Sequence, residues 1–402
     1  MKRDEWETVR LGDVFIRIKN GVSIKQGGVE GGYPITRIET ISDGSINREK
    51  MGYAGITDLK KYEDYVMQDG DILMSHINSE KHLGKSAVYS KFTDEMIIHG
   101  MNLLLLRVNS AILNNKYAYY YFLSNRFKSQ LSTITKKSVN QASFSIQPLK
   151  TLEIPLPPLD IQRQIADTLD KVTELITLRK TQLKKLDELV KARFVEMFGD
   201  PISNPMGWKT DYLKNVTNKI GSGATPKGGK ESYQAEGITL IRSMNVHDGR
   251  FEYKDLAHIT DEQAKQLENV TIEENDVFIN ITGASVARSC IVPKHILPAR
   301  VNQHVAIIRC ITSILNPVFA NNMFLNHSFK GQLLDIGETG GATRQAITKQ
   351  QLETLEVILP PIELQEQFAA FVEQTDKSKV IIQQSLDTLE TLKKSLMQEY
   401  FE

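Results

Sequence analysis

Six polar loops rich in glycine, serine and lysine contain the residues of this chain that are best suited to bind a ligand. Lysine side chains and main-chain amides suit phosphates, whereas Arg, Asn, Gln and Ser side chains suit the edges of nucleic-acid bases. Three loops lie in each half of the chain, at corresponding places: KNGVSIKQGG (19–28), SHINSEKHLGKS (75–86), TKKSVNQAS (135–143), GSGATPKGGK (221–230), NITGASVARS (280–289) and ETGGATRQA (338–346). Their matching positions indicate two related binding surfaces.

No catalytic motif accompanies these loops. The segment LGKS (83–86) is similar to the end of a phosphate-binding loop, but the first glycine of that motif would fall at Ser79. The two Pro-Pro pairs, in LPPL and LPPI, lack the Asn or Asp and the aromatic residue of adenine methyltransferases. The eight histidines are scattered, without an Asp or Cys at a spacing typical of a triad or metal site. The sequence therefore predicts two binding blocks and no enzyme active site.

Composition and charge limit the class of protein. With 41% apolar residues in 402, the chain can form two or more cores of ordinary size. No segment has the continuous apolar length of a signal peptide or a membrane span, so we expect a cytoplasmic protein. Cys290 and Cys310 lack CxxC spacing, which favours buried, reduced thiols over a zinc site. The net charge is zero, but it is +5 over residues 1–150 and −5 over 355–402.

The chain contains one phrase twice, LPPLDIQRQIADTL at 156–169 and LPPIELQEQFAAFV at 359–372, at an offset of 203 residues. The same register continues through the helical segment that follows each Pro-Pro pair. The blocks before the two phrases match more faintly, for example in Trp6 and Trp208. Similar helical segments suggest a common task, and diverged blocks suggest different ligands.

Each Pro-Pro pair precedes a predicted long helix, because proline can continue neither a helix nor a central strand. From Ile165 to Met197 the positions keep the 4–3 spacing of a coiled-coil seam, interrupted by Arg179 and Arg193. The second copy has its lysines at other seam positions, which favours pairing of the two unlike helices within one chain. Residues 160–198 as one helix would be roughly 58 Å long. Four apolar residues lie off the seam, where a third body could pack: Leu178, Leu189, Ile381 and Leu392.

The two blocks are predicted to mix short strands with helices, as in an α/β or α+β fold. The apolar runs that predict strands are YPITRIETI (33–41), GDILMSHI (70–77), MNLLLLRV (101–108), GITLIRSMNV (237–246), NDVFINIT (275–282) and HVAIIRC (304–310). Each block ends in a predicted aromatic helix, over 115–131 and 316–333.

Together these features resemble the specificity subunit of type I restriction-modification systems, over essentially the whole chain. The resemblance rests on LEIPLPPLDIQRQI (152–165) and LEVILPPIELQEQF (355–368), on MFGDPISNPMGW (197–208) after the first helix, and on the Trp-x-x-x-x-Leu openings at Trp6 and Trp208. The combination of proline pair, glutamine and long helix is specific, whereas the globular blocks match only in layout.

The resemblance implies two target recognition domains separated by two long antiparallel coiled-coil helices, in a pseudo-twofold duplicated chain. The domains would be residues 1–150 and 201–354, and the conserved spacer helices 151–200 and 355–402. Such a subunit reads a split site in double-stranded DNA, performs no chemistry, and docks two methyltransferase subunits and the restriction subunits. S-adenosylmethionine, ATP and magnesium would belong to those partners, so we expect no cofactor, no metal and no membrane contact in this chain.

By position, the DNA contacts would come from the six loops and from two arginines nearby. In the first block they would be Lys19, Ser23, Lys25, Arg37, Ser75, His76, Asn78, Lys85, Lys137, Asn140 and Gln141. In the second they would be Ser222, Thr225, Lys227, Arg242, Asn280, Thr282, Arg288, Thr343, Arg344 and Gln345.

Two other interpretations stay open at this point. The chain could serve a single-chain nuclease-methyltransferase, in which case no separate methyltransferase subunits would copurify with it. It could also be a duplicated coiled-coil scaffold that binds proteins and not DNA. Sequence-specific protection of DNA by the complex would exclude the scaffold.

Overall fold

A computed structural model of the chain describes residues 6–27, 31–42, 44–139, 141–226, 228–338 and 345–402. The strands of the first half are β1 (Glu7–Arg10), β2 (Phe15–Asn20), β3 (Ile72–Ser75), β4 (Ile77–Asn78), β5 (Ser86–Val88), β6 (Leu103–Val108), β7 (Lys136–Lys137), β8 (Ala142–Ser143) and β9 (Glu153–Leu156). The helices of this half are α1 (Leu11–Val14), α2 (Asn115–Leu123), α3 (Asn125–Ile134), α4 (Ile146–Thr151) and α5 (Leu159–Phe198).

The second half repeats this order with small additions. Its strands are β10 (Lys209–Tyr212), β11 (Thr217–Ser222), β12 (Ile238–Ile241), β13 (Val246–His247), β14 (Arg250–Phe251), β15 (Ala257–Ile259), β16 (Val277–Asn280), β17 (Ser289–Ile291), β18 (Ala299–Val301), β19 (Val305–Cys310) and β20 (Glu356–Leu359). Its helices are α6 (Asp261–Gln266), α7 (Pro317–Leu325), α8 (His327–Glu338), α9 (Lys349–Glu353) and α10 (Ile362–Phe401).

The chain divides into two compact units. Unit 1 is Met1–Lys180 with Gln384–Glu402, and unit 2 is Thr181–Gln383. Each unit therefore holds one globular block, one end of α5 and the opposite end of α10. No helix in the described parts of the chain combines the length and apolar composition needed to cross a membrane.

Unit 1 is built on a four-stranded antiparallel sheet in the order β2-β6-β3-β5. Its central strand β6 is apolar without alternation, because both of its faces are covered. Leu104 and Leu106 pack in the core that contains the aromatic helices, and Leu103 and Leu105 pack in a second core on the other face. A strand buried on both faces needs such a continuous apolar run.

Unit 2 has the equivalent sheet, in the order β11-β19-β16-β17. Its central strand β19 again faces two cores, with Ala306 and Ile308 in one and Val305 and Ile307 in the other. The two blocks thus share one sheet despite their diverged sequences.

Each sheet contains one buried ion pair at the same place. In unit 1 the Arg107 guanidinium donates two hydrogen bonds to the Asp71 carboxylate, at 2.7 and 2.8 Å. In unit 2 Arg309 makes the same two bonds to Asp276, both at 2.8 Å. Both aspartates are fully buried. Such a bidentate pair fixes the central strand against the strand beside it.

A buried glutamine joins each long helix to its own block. The Gln162 side-chain carbonyl accepts a hydrogen bond from the main-chain N–H of Asn114 at 2.8 Å, and its amide donates to the carbonyl oxygens of Ile112 and Pro157. Gln365 in unit 2 makes the matching set, to Asn316, Ile314 and Pro360. The repeated LPPxxxQ pattern is therefore a structural joint.

A short strand pair closes each block beside this joint. Strand β1 pairs antiparallel with β9 in unit 1, and β10 pairs with β20 in unit 2. Residues 153–156 and 356–359, which the sequence assigned to the helical segments, thus form strands of the blocks. Helix α5 begins only at Leu159, two residues after Pro157.

The long helices run antiparallel to each other within each unit. In unit 1 Leu169 and Phe401 pack in one core, and Lys180, later in α5, pairs at 2.7 Å with Glu390, which is earlier in α10. In unit 2 Lys379 pairs with Asp187, also at 2.7 Å.

The predicted seam is wrong near the end of α5. Phe194 and Phe198 are buried there, and the predicted seam residues Arg193 and Met197 are half-buried. Since 3.6 residues complete a helical turn, a strict 3.5-residue repeat drifts around the helix over several turns. The two phenylalanines instead join the core of the block, in contact with Phe319 and Phe368.

Some predicted elements take a different form. Residues 33–41, which were predicted to form a strand, instead contain isolated β-bridges at Ile35 and a short 3-10 helix over Ile38–Ile41. The predicted helix over 115–131 is two helices, because the Ser124 hydroxyl caps the second by accepting from the N–H of Phe127. Cys290 and Cys310 are free and buried, as predicted, and burial raises the pKa of each thiol to about 12.

Candidate nucleic-acid interface

The three predicted loops of each block are numbered in chain order. Loop 1 is 19–28 in unit 1 and 221–230 in unit 2, loop 2 is 75–86 and 280–289, and loop 3 is 135–143 and 338–346. Loops 2 and 3 meet in both units. In unit 1, strand β4 of loop 2 pairs with β8 of loop 3. In unit 2, Thr282 bridges to Ala346, and the N–H of Gly283 donates to the Gln345 carbonyl at 2.9 Å.

Loop 1 of each unit lies against the residues that precede the central strand. At Gly21 a Cβ atom would lie 1.9 Å from the carbonyl oxygen of Gly100, and at Gly223 it would lie 1.7 Å from that of Val301. No side chain fits at such distances, so each glycine holds its loop close to the backbone of the neighbouring segment.

The next contact in loop 1 is also repeated. Ser23 donates from its hydroxyl to the Met101 sulfur at 3.4 Å, and Thr225 donates to the side-chain carbonyl of Gln303. Met101 and Gln303 occupy the same place, two residues before their central strands. These contacts join loop 1 to the start of β6 or β19.

In unit 2 one chain of hydrogen bonds connects all these segments. Gln303 contacts His304, with 3.1 Å between its Nε2 and the histidine Nε2, and the histidine Nδ1 contacts the hydroxyl of Thr282. The N–H of Ile281 donates to the carbonyl of His304 at 3.0 Å. Loops 1, 2 and 3 of unit 2 therefore converge around Gln303 and His304.

Several predicted lysines of unit 1 already have acidic or polar partners. Lys19 lies 3.6 Å from Asp64 and 3.8 Å from the ring centre of Tyr65. Lys85 donates to the carbonyl of Ser42 at 2.9 Å, and Lys137 pairs with Glu80 at 2.6 Å. Lys25 is exposed in loop 1.

The two predicted arginines are equivalent and half-buried. Arg37 donates from Nε to the side-chain carbonyl of Gln26 at 2.7 Å. Arg242 donates to the carbonyl of Asp255, and its guanidinium lies 5.5 Å from the ring centre of Tyr233. Both arginines lie within the apolar runs 33–41 and 237–246 that predict strands.

Three predicted contact residues are buried. Ser75 ends strand β3 with 1% exposure, His76 directly follows that strand with 6%, and Asn280 ends the equivalent strand β16 with none. Asn280 donates to the carbonyl of Ser243 at 2.9 Å, and burial lowers the pKa of His76. In this arrangement these side chains support loop 2 from beneath and do not face solvent.

The other predicted residues lie nearer the surface. Asn78 is half-buried and donates to the Ser75 hydroxyl at 3.3 Å. Gln141 and Ser222 are exposed, Arg288 is half-buried, and Gln345 is half-buried with its amide donating to Glu338 at 2.9 Å. Four predicted residues lie outside the described residues: Asn140, Lys227, Thr343 and Arg344.

The sequence missed the residues before the central strands, and it missed three lysines of a cleft. A cleft of about 550 Å³ in unit 2 is lined by Lys214, Lys219, Lys349 and Ser222, among others. A cleft of about 400 Å³ in unit 1 is lined in part by Arg37 and Met101. Met101 and Gln303 could have been found by aligning the strands of the two blocks, since each lies two residues before the central strand of its sheet.

No group of three or more metal-binding side chains occurs within the described residues. The groups available for binding are therefore amides, hydroxyls, a thioether and cationic side chains, which lie on two similar loop clusters. Such groups bind phosphates and base edges.

Comparison with known proteins gives consistent matches over the whole chain. The model of the type I restriction modification DNA specificity domain matches residues 3–188 and again 205–391. A chain described as a type I restriction enzyme MjaX specificity subunit, from Methanocaldococcus jannaschii, is 31% identical over 98% of this chain and 92% of its own length. The type I restriction enzyme EcoBI specificity subunit of Escherichia coli is 24% identical over 71% of this chain and 65% of its own length.

Solved structures agree in fold. The crystal structure of a type I restriction-modification S subunit from M. genitalium has a TM-score of 0.60 at 14% identity, over 99% of this chain and 96% of that one. A chain from a study of complex assembly and conformational transition in the type I R-M system has a TM-score of 0.56 at 18% identity, covering 99% and 97%.

Proposed function

The chain belongs to the family of type I restriction-modification DNA specificity subunits, and on that basis we propose that it reads a split DNA target for a methyltransferase and restriction complex. A specificity subunit directs enzymes and catalyses nothing itself, so the chain is not an enzyme. Unit 1 would bind one half-site and unit 2 the other.

One observation supports this assignment most directly. In both units the same loops lie at the same end of the equivalent four-stranded sheet, but their residues differ. Loop 1 contacts Met101 in unit 1 and Gln303 in unit 2. A shared frame with different reading residues is what a target with two unlike halves requires.

The solvent-facing residues are the candidates for direct contact. In unit 1 these are Ser23, Lys25, Lys137 and Gln141, and in unit 2 they are Ser222 and Thr225. The buried Ser75, His76 and Asn280 would act indirectly, by fixing loop 2.

Phosphate contacts would position each unit on the duplex. The three lysines of the unit 2 cleft, Lys214, Lys219 and Lys349, have the charge for this task. The chain as a whole is neutral, so partner subunits would have to supply much of the remaining phosphate neutralisation. We therefore expect the isolated chain to bind DNA weakly.

The long helices offer a surface for partner subunits. Four apolar residues that are repeated at an offset of 203 are exposed: Leu178 at 51%, Ile381 at 67%, Leu189 at 48% and Leu392 at 44%. Exposed apolar patches mark sites of protein–protein contact, and the repetition of these residues in both helices favours two equivalent sites. We propose that two methyltransferase subunits bind there, one for each copy, and that restriction subunits join them.

The cofactors of the system would reside in those partners. S-adenosylmethionine would serve the methyltransferase subunits, and ATP and Mg²⁺ the restriction subunits. The length of the two helices would set the gap between the half-sites, because each 40-residue helix contributes to both units.

Deleting this chain from its host and sequencing methylated adenine across the genome tests the proposal. We expect the loss of one split N6-methyladenine motif with a fixed gap, and its return when the wild-type chain is restored. An unchanged pattern in a strain whose system is expressed would contradict DNA recognition and favour the protein-binding scaffold.

Purification through a tag on the full-length chain tests the partners. Two separate methyltransferase subunits for each chain would support the proposed assembly. A single large polypeptide that carries both nuclease and methyltransferase activities would replace it with the single-chain arrangement.

A further inference from the structure

Both units have a contact between loop 1 and the residue two positions before the central strand, but the side chains that make this contact differ between the units. Ser23 and Met101 in unit 1 correspond to Thr225 and Gln303 in unit 2, both pairs at an offset of 202 residues. The hydroxyl persists, since Ser23 and Thr225 each donate to the partner side chain. The partner changes from a thioether to an amide.

The Gln303 amide is held by two hydrogen bonds. Its carbonyl accepts from Thr225, and its Nε2 lies 3.1 Å from Nε2 of His304. Because an amide nitrogen can only donate, the His304 Nε2 is the acceptor, and the histidine proton lies on Nδ1, facing the hydroxyl of Thr282. The orientation of the amide is therefore fixed from both ends.

This arrangement leaves one donor and one acceptor free. An amide group has two N–H donors and two carbonyl lone pairs, and each bond to Thr225 or His304 uses one of them. Gln303 is exposed, so the remaining N–H and lone pair are available at the surface. Adenine presents the complementary pair in the major groove, with N7 as acceptor and N6 as donor.

We propose, on the basis of the proposed function, that Gln303 reads an adenine in the half-site bound by unit 2. Met101 makes the equivalent contact in unit 1, which is an apolar contact with a thymine methyl group. Thr225 and His304 are positioning residues that fix the amide. Met101 is 39% exposed and offers no hydrogen-bond donor, so it would recognise a methyl group and no base-edge polar pattern.

The backbone beneath Gln303 is also fixed. Its neighbour Asn302 is buried and donates from its N–H to the carbonyl of Ile241 at 3.0 Å. The N–H of Gly223 donates to the Asn302 carbonyl at 3.1 Å. A reading side chain on a rigid support loses little conformational entropy on binding.

Selection from a pool of DNA duplexes tests the assignment. The full-length chain, purified with its copurifying subunits, selects from duplexes in which both half-sites are randomised. In Gln303→Met we expect the preference for adenine at one position of one half-site to fall roughly tenfold or more, with all other positions unchanged. Met101→Gln should change one position of the other half-site, from thymine towards adenine.

Two further variants separate reading from positioning. Thr225→Val should weaken the same preference as Gln303→Met, and Thr225→Ser, which keeps the hydroxyl, should restore it. Gln266→Met alters an exposed glutamine on α6, outside the loops, and should leave the selected sequence unchanged.

The outcomes that overturn the assignment are distinct. A split consensus that survives Gln303→Met, or a uniform loss of affinity for all sequences, overturns the reading role and leaves the proposed function standing. A wild-type complex that selects no sequence overturns the proposed function, and the assignment with it.

Discussion

The side-chain carbonyl of Gln162 lies 2.8 Å from the main-chain nitrogen of Asn114 and accepts its hydrogen bond, which joins the first turn of α5 to the cap of α2. The glutamine is fully buried, and its amide also donates to two main-chain carbonyls. One side chain thus satisfies three polar groups that would otherwise be buried without partners.

Replacing Gln162 with leucine should therefore destabilise unit 1. Since several buried polar groups lose their partner, we expect the free energy of unfolding to fall by about 3 kcal/mol. Gln164→Leu, on the exposed side of the same helix, should change it by less than about 0.5 kcal/mol. Thermal denaturation of the two variants compares them directly, and equal melting temperatures would refute the structural role.

The buried ion pairs should be local to their units. Asp71→Asn leaves Arg107 without its charge partner and should cost about 3–5 kcal/mol. Asp276→Asn leaves Arg309 with only the exposed Glu273 as a charge partner, so it should cost less. Hydrogen-deuterium exchange should show faster exchange in β6 for the first variant and in β19 for the second. The exposed Asp94→Asn serves as control. Identical exchange changes in both strands from either variant would argue against separate units.

Acid should destabilise unit 1 through His99. Burial lowers the pKa of His99 to about 4, from an ordinary value of 6.5, and its Nε2 donates to the carbonyl of Leu103 at 2.9 Å. The unfolded chain takes up this proton at a higher pH than the folded chain. Stability is therefore lost as pH falls from about 6.5 to about 4, by about 3 kcal/mol in total.

Denaturation at a series of pH values measures this loss. His99→Gln, which keeps a donor but does not titrate, should flatten the dependence of stability on pH across that window. His327→Gln, at an exposed position of α8, should not. A slope that survives in His99→Gln would mean that other groups cause it.

The exposed apolar residues of the long helices should carry the partner subunits. Leu178→Glu combined with Ile381→Glu should abolish copurification of methyltransferase subunits, because a charge would be buried at each contact. The melting temperature should change little, since both side chains are mostly exposed in the free chain. Ile16→Glu, exposed at 67% on β2, is the matched control. Retention of the partners in the double variant would place docking elsewhere.

Longer helices should change the gap in the target. Insertion of seven residues near Lys184 and seven near Asp387 adds about 10 Å to each helix, which corresponds to roughly three base pairs. Methylome sequencing of a strain carrying this variant should find the same half-sites with a wider gap. A motif with its original gap would show that the helices do not set the spacing.

The repeated elements could be predicted from the sequence, because local patterns determine them. The helix predicted over 160–198 occupies Leu159–Phe198, and the apolar runs 70–77 and 101–108 contain β3 and β6. The role of Gln162 could not be predicted, since its partners near Asn114 are distant in sequence. Phe194 was missed because packing against the block outweighed the heptad pattern.

The candidate interface was harder to predict for a similar reason. Loop composition located Thr225 and Thr282. The residues that join them, Gln303 and His304, lie where the sequence presents the start of a strand. Composition also cannot distinguish a lysine that faces solvent from one already paired, such as Lys137 with Glu80. These distinctions depend on contacts between segments far apart in the chain.

Gly21 and Gly223 bear on how such a protein could acquire a new target during evolution. Each glycine lies where any side chain would collide with the backbone, and two residues later the chain reaches Ser23 or Thr225. Selection would hold the glycines constant while the reading positions Met101 and Gln303, which these hydroxyls contact, drift. A new specificity could then arise by substitution of a single codon, without a compensating change in the scaffold.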